Sequence, residues 1–513
     1  MATRTPSIES LLKFRANRLT AAMRTDKLRS LPESRLCRRF PFTKSTVRLS
    51  SAPLEPTASS PRRILPVLFL GVLMAALDIA IVGPALPALQ EHYGLSERSI
   101  AWVFNVFVLF NLLGLPLMAR LSDVFGRRVI YAVNVTLFAV GSLVVAVAPP
   151  FAFVLVGRAI QGLGASGIFP VASAVVGDVV SPEKRGAALG LLGAVFGIAF
   201  IIGPITAGIL LLVGWPWLFV VNLPLAFVVL VAGLRVLPSS ESGKKQPLDG
   251  KGIAVLGILL ASFAFGMNQI DTEHFGRSII SPEVLPWLVL FALLIPVFLS
   301  IENRAPNPLI RLRLFRSRQV VIASLLGVGA GLTEAAFVFM PAMAVSAFGV
   351  SKSTASFMLL PLVTAVAIGS PIGGRLLDKL GSRFVILAST TLLTAGTAVM
   401  AFTSVSTLTF YAGSVLIGVG LSGLLGSSLS YILLQEAKQA ERTVAQGVVT
   451  LSISVGQLTG GALIGAVVAS NSTDLTGFQL AFAWIAGAAF LLIFLSIGLR
   501  KREVEQVLLE EDV

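Results

Sequence analysis

Two carboxylates and one guanidinium stand inside long apolar runs of this 513-residue chain. Asp78 falls in "VLMAALDIAIVG", Glu334 in "GAGLTEAAFVFM" and Arg158 in "FVLVGRAIQGLG". A charged, unpaired side chain at the centre of a bilayer costs about 2.5–3.5 kcal/mol on insertion scales, so such groups face partners or a wet cavity and not lipid. A carboxyl there can bind and release a proton. A buried Arg stays charged, and its approach or withdrawal changes how readily a neighbouring acid ionises. Asp78 and Glu334 are therefore the candidate proton carriers, with Arg158 as the buried cation that could tune them. The two acids lie 256 positions apart and are expected to face a central cavity from related places. The competing reading holds each one in a packed interface, bonded to backbone or amide groups.

The elements that position them are read from composition. Hydrophobic residues make up 55% of the chain and charged residues 13%, about half the charged fraction of a soluble protein. Apolar runs of membrane-spanning length recur from Ile64 to Leu499, the mark of an all-α membrane protein, since helices satisfy their own backbone groups in lipid. Fourteen spans are predicted, near 64–89, 100–121, 128–149, 151–178, 186–212, 216–237, 252–270, 284–301, 319–345, 353–376, 384–404, 407–434, 443–469 and 478–499. If the N-terminus is cytoplasmic, nearly all loop cations fall on that side and only Arg98, Arg277 and Lys352 fall opposite. The positive-inside rule then places both termini in the cytoplasm.

A charged loop appears twice. "RLSDVFGRR" starts at Arg120 and "RLLDKLGSR" at Arg375, 255 positions later. One joins spans 2 and 3 and the other joins spans 10 and 11. Two six-helix bundles with two helices inserted between them produce that shift, and parallel repeats of this kind place a binding site between the halves. The expected organisation is a basic tail at 1–63, a bundle at 64–237, a linker with two inserted helices at 238–318, a second bundle at 319–499 and a tail at 500–513. The inserted pair is expected outside the two bundles. Asp123 with Arg127 and Arg128, and Asp378 with Lys379 and Arg383, could latch helix ends by charge-assisted hydrogen bonds. For the cations alone, topology anchoring explains as much.

Other classes find no support. No phosphate-binding loop of the G-x-x-x-x-G-K-[ST] type occurs, and no catalytic or metal-ligating constellation is visible, so neither enzyme activity, nucleotide nor cofactor is expected. Cys37 is the sole cysteine, and His92 and His274 stand alone in predicted loops. The net charge of +14 does not point to nucleic acid, because the first 63 residues hold fourteen Lys/Arg against Glu9, Asp26, Glu33 and Glu55. That segment has transit-peptide composition. A disordered cytoplasmic tail and translation from a misplaced start are the alternatives. The membrane is accordingly a plasma or inner membrane, or a plastid or mitochondrial one if the segment targets.

The chain resembles the major facilitator superfamily, and within it the fourteen-spanner drug:proton antiporters. Besides the two loops, "LDIAIVGPALP" from Leu77 resembles the branch's helix-1 motif. "GRAIQGLGAS" from Gly157 matches R-x-x-Q-G-x-G-A, and "GIAFIIGPITAG" from Gly197 is similar to the helix-5 antiporter motif. "WPWLFVVNLP" from Trp215 is similar to W-R-W-x-F-x-x-N-x-P, with Pro216 in place of the Arg. The resemblance implies proton-coupled efflux of lipophilic or cationic small molecules by alternating access, with Arg158 in the proton pathway beside Gln161. An exporter of one metabolite or anionic product, and a non-transporting sensor or scaffold, are the rival readings. Gln161, Asn105, Asn111, Phe107 and Phe337 are candidate cavity residues. Gly162, Gly193, Gly197, Gly203, Pro204, Gly456 and Gly460 are candidates for close helix packing, which the resemblance extends to an ion-tight seam between halves. The protein is expected to act as a monomer, with protons, a small molecule and the bilayer as its partners.

Overall fold

Short polar side chains start many of the helices. Ser96 accepts from Ser99 N, Asp249 from Gly252 N and Ser351 from Thr354 N, while Ser406 and Thr409 form a reciprocal capping box. Each supplies an acceptor to amides that the first helical turn leaves unbonded. The computed structural model describes residues 61–180, 182–238, 249–305, 308–309, 312–436, 442–471 and 475–502. The basic tail, apart from its last three residues, and most of the C-terminal tail lie outside these. So do the side chains of Asp123 and Asp378 and the surroundings of Gly193.

The long helices are α1 Pro61–Tyr93, α2 Glu97–Phe125, α3 Arg127–Ala146, α4 Phe151–Val179, α5 Pro182–Leu210, α6 Trp217–Val236 and α7 Gly250–Asn268. They continue with α8 Leu285–Arg304, α9 Arg318–Phe348, α10 Leu360–Leu380, α11 Ser382–Phe402, α12 starting at Thr407, α13 Arg442–Ser470 and α14 Leu475–Ile497. No strand occurs among the described residues. Among the described residues, twelve helical stretches are long and apolar enough to cross a membrane. Within α5 and α12 the apolar stretches are the shorter Val195–Leu210 and Thr407–Gly423. A plain helix is predicted across 407–434, yet α12 passes through a π-helical turn at Leu424–Ser428 before continuing to Glu436. Its sequence there, "GLLGSSLS", is rich in residues that hold α-helix weakly.

Packing repeats with an offset of eight helices. α3 packs on α4 and α6, α2 on α4, and α1 on α5; correspondingly, α11 packs on α12 and α14, α10 on α12, and α9 on α13. The halves meet where α2 lies on α13, α5 on α10 and α1 on α9. Inserted α7 rests against α2 and α13, and α8 rests on α7 with only Phe298 and Glu302 buried.

The echoed loops share a backbone as well as residues. Gly126 has φ 91° and ψ 150°, and Gly381 has φ 82° and ψ 167°. That region is essentially closed to residues with a Cβ, which explains why glycine stands at this place in both copies. Each caps the preceding helix, Gly126 N donating to Ser122 O at 3.1 Å and Gly381 N to Leu377 O at 2.9 Å. Both loops also lie at one end of the bundle. Lys352, just ahead of α10, pairs with Glu91 near the end of α1, beside the start of α2. α2 and α10 therefore begin together and end together, and the loop-bearing side is the basic end.

Candidate functional site

Arg158 and Gln161 sit one turn apart on α4, so both side chains leave the same face. That face meets Asp78 of α1, Ser142 of α3 and Asn222 of α6, and all five side chains are buried. Arg158 Nη1 donates to Asp78 Oδ2 at 2.7 Å and to Gln161 Oε1 at 2.9 Å. Asp78 Oδ1 accepts from Gln161 Nε2 and from Asn222 Nδ2, both at 3.1 Å. Gln161 Nε2 also reaches Ser142 Oγ at 2.7 Å. α2 completes the enclosure: Arg158 Nε donates to Val103 O at 3.1 Å, and the guanidinium lies over the Phe107 ring, 4.2 Å from its centroid. A charge pair taken out of water survives only with such added hydrogen bonds. The carboxylate thus holds one cation and two amide donors, while Arg158 Nη2 and Asn222 Oδ1 find no partner among the described residues.

This geometry corrects one expectation. Asp78 does not face the space between the halves; every partner named above belongs to α1–α6. The cause is the donor set inside that bundle, which a lone acid leaving it would forfeit. Glu334 differs. It lies on α9, beside Gln457 of α13, one turn before Val338, whose carbonyl lies against Gly83 of α1. It is therefore close to the crossing of the two halves. Phe337 is there too, edge-on to Phe200 of α5 with ring centroids 5.9 Å apart.

The remaining candidates divide. Asn111 Nδ2 reaches Gly162 O at 3.5 Å, so it ties α2 to α4. Asn105 does not line an open cavity: it is fully buried in the α2–α13 seam against Gly461, with neither amide atom bonded. Gly203 packs α5 on Ala80 of α1, and Gly456 and Gly460 pack α13 on α9. The staggered pair Gly461 and Gly465 faces α2 across the seam. Arg127 pairs with Asp178 at 3.2 Å and donates to Ser122 Oγ at 3.2 Å. The side chains of Asp123 and Asp378, the expected latch acids, are not among those described.

The end opposite the basic one is closed. Ser353 Oγ donates to Gly208 O at 2.6 Å, Ser356 Oγ donates to Pro204 O at 2.7 Å, and Lys352 pairs with Glu91. A methyl added at Gly208 would press on Phe357, whereas one at Gly197, three turns toward the basic end, would meet only Ala367, at 4.0 Å. The α5–α10 seam therefore loosens toward the basic end. α7 clasps the closed side: Asn268 Oδ1 accepts from Trp102 Nε1 at 3.1 Å, and Thr272 N donates to Ser470 Oγ of α13 at 3.1 Å.

Sequence reasoning missed Asn222, Ser142, Gln457 and the pairing of Asp178. Asn222 carried a signal, as the one amide in α6 and part of the helix-6 motif. Nothing in α3 set Ser142 apart from Asn134 or Thr136.

A fold of two pseudo-repeated helical bundles, each with its acid at a related depth, defines a membrane transporter of the facilitator type. The family model described as Major Facilitator Superfamily matches residues 68–367 and 323–512, and the chain belongs to that family. It is 32% identical over 393 residues to the uncharacterized MFS-type transporter YfiU of Bacillus subtilis, covering 75% of this chain and 76% of that one. It is 30% identical over 416 residues to the multidrug resistance protein Stp of Mycobacterium tuberculosis, covering 78% and 74%. Among solved structures, the human organic anion transporter MFSD10 superposes with a TM-score of 0.55 at 19% identity, covering 85% of this chain and 99% of that one. The last likeness supports the fold alone.

Proposed function

We propose that the protein exports lipophilic or cationic small molecules in exchange for protons, by alternating access, with all fourteen long helices crossing the membrane. The observation that carries this reading is the buried Asp78–Arg158 pair inside the first bundle, together with a second acid, Glu334, at the crossing of α1 and α9. Protonation of Asp78 removes the counter-charge of Arg158 and weakens the acceptor shared by Gln161 and Asn222. Those three side chains tie α1, α4 and α6 into one unit, so a proton there changes how the bundle packs. Glu334 pairs with no described cation and stands where the halves meet, which suits an acid that exchanges with water or meets a cationic substrate. The name of the Mycobacterium relative, a multidrug resistance protein, favours the same substrate class.

The seam geometry fits a conformer sealed at the outer face and loosened at the basic end, which the positive-inside bias assigns to the cytoplasm. In the other half of the cycle the contacts at Gly208, Pro204 and Glu91 part. Arg127–Asp178 holds α3 to α4 within a bundle, so it moves as part of a rigid half, and the α7–α8 pair rides on the seam without lining the pathway. The test is purified protein reconstituted in vesicles with a pH-sensitive dye inside. Ethidium or tetraphenylphosphonium should drive proton movement in the opposite direction. Substrate movement with no proton movement would refute the coupling.

A further inference from the structure

An apolar cavity of about 660 Å³ opens between α10 and α11, outside the Asp78 network and away from the α1–α9 crossing. It is a groove in the flank of the second bundle. α12 forms its floor, where Gly369 packs against Ser422 and Gly373 approaches Gly423. Ser422 Oγ is bonded back to Val419 O at 2.7 Å, so the floor offers no free donor. The rim is apolar and faces outward: Ile368 is 57% exposed, Ile372 49% and Phe384 53%. Along α10 the groove runs from Leu360 to Leu376, about 24 Å at 1.5 Å per residue. Its length is set along the membrane normal, as for a chain lying parallel to the helices.

Its basic end is ringed by cations. Ile368, Ile372, Arg375 and Lys379 follow one another at helical spacing on α10, so the apolar rim continues directly into two exposed cations. Arg383 precedes Phe384 at the start of α11. None of the three cations makes an ion pair with a described residue. In the first copy of the loop Val124 stands where Lys379 does, and Arg127, which aligns with Ser382, is taken by Asp178. At the corresponding end of α12 stands Glu436, but Arg500 and Ser317 occupy its two oxygens. The second copy of the charged loop thus sets two exposed cations, Arg375 and Lys379, at the end of the apolar rim.

We propose that this groove is a binding site for an anionic phospholipid of the cytoplasmic leaflet, with an acyl chain between α10 and α11 and the headgroup phosphate on Arg375, Lys379 and Arg383. Apolar walls at tail depth and cations at headgroup depth match that amphiphile at both ends. A lipophilic cation is disfavoured by the same three charges, and the closed floor denies it a way through to α9 and α13. The site lets lipid composition act on α10, a helix that forms the α5–α10 seam. It does not depend on the transported substrate.

The test uses the delipidated full chain in detergent, offered dioleoylphosphatidylglycerol or dioleoylphosphatidylcholine, with retained lipid counted by native mass spectrometry. The wild type should retain the anionic lipid about tenfold better, because each nearby cation favours an anionic headgroup. The triple variant Arg375→Gln, Lys379→Gln, Arg383→Gln should level the two. Ala388→Trp, which fills the groove and leaves the charges in place, should lower retention of both lipids. Size-exclusion elution at the wild-type position confirms that each variant is folded. Equal retention by the wild type, an undiminished preference in the triple variant, or normal retention in Ala388→Trp would each overturn the proposal. So would displacement of the bound anionic lipid by tetraphenylphosphonium, which would make the groove a substrate portal instead.

Discussion

Arg158 Nη1 lies 2.7 Å from Asp78 Oδ2, and neither side chain is exposed. Removing one partner of a buried pair leaves a charge with nothing to balance it, at a cost of about 3–5 kcal/mol. Arg158→Ala should therefore destabilise the chain by that order, and Asp78→Asn by less, since an amide still accepts from Gln161 or Asn222. The double variant Asp78→Asn, Arg158→Gln should recover part of the loss. Thermal unfolding in detergent checks this. Equal unfolding temperatures for wild type and Arg158→Ala would mean that the pair contributes nothing to the bundle.

Glu334 separates coupling from folding. It stands beside one amide, Gln457, and pairs with no described cation, so Glu334→Gln breaks no ion pair and should unfold within about 1 kcal/mol of wild type. Substrate-driven proton movement in vesicles should nonetheless be lost or fall at least about tenfold, a change of about 1.4 kcal/mol in coupling. Retained coupling in Glu334→Gln together with Asp78→Asn would remove both acids from the mechanism.

The difference between those two acids shows how far the sequence could be read. A charge in an apolar run announces burial, so Asp78, Glu334 and Arg158 were all visible. The echoed loops announced the repeat, and the packing pairs of α1–α6 do recur in α9–α14. Which way Asp78 turns was not visible, because that depends on amides and hydroxyls from three other helices. Ser142 is one such group, and a serine in an apolar helix has many possible fates. Helical periodicity gives the face of one helix but not the neighbour it meets. For the same reason the two staggered glycine pairs of α13 looked alike in sequence. One faces α9 within its half and the other faces α2 across the seam.

Gly126 and Gly381 should respond alike. Both hold positive φ with extended ψ, so Gly126→Ala and Gly381→Ala should each cost about 1–3 kcal/mol. Neither substitution touches the Asp78 network, so the loss should appear in unfolding temperature and expression level before it appears in proton coupling. A tolerated alanine at either loop would contradict the backbone described here.

The orientation has a direct check. Ser122 and Ser382 lie in the two echoed loops but are only 2% and 1% exposed, so cysteines placed there would escape a bulky reagent whichever side they faced. Phe125 and Leu380 are 60% and 42% exposed. Phe125→Cys and Leu380→Cys, in a Cys37→Ser background, should both react with an impermeant maleimide only from the cytoplasmic side. Labelling of the two from opposite sides would break the parallel repeat.

The seam between α2 and α13 gives the last prediction. A Cβ on Gly465 would meet Ala101 Cβ at 2.6 Å, closer than the roughly 3.8 Å of a disulfide, so a small outward shift of α13 brings a cysteine pair to bonding distance. Ala101→Cys with Gly465→Cys, again without Cys37, should cross-link under mild oxidation. Alternating access requires these two helices to part at the outer end, so the bridge should stop transport, and a reducing agent should restore it. The single variants should still transport under the same oxidation, since each lacks the second thiol that a bridge needs. Full transport by the oxidised double variant, with the cross-link verified on a gel after cleavage between the halves, would show that the outer ends of α2 and α13 need not separate.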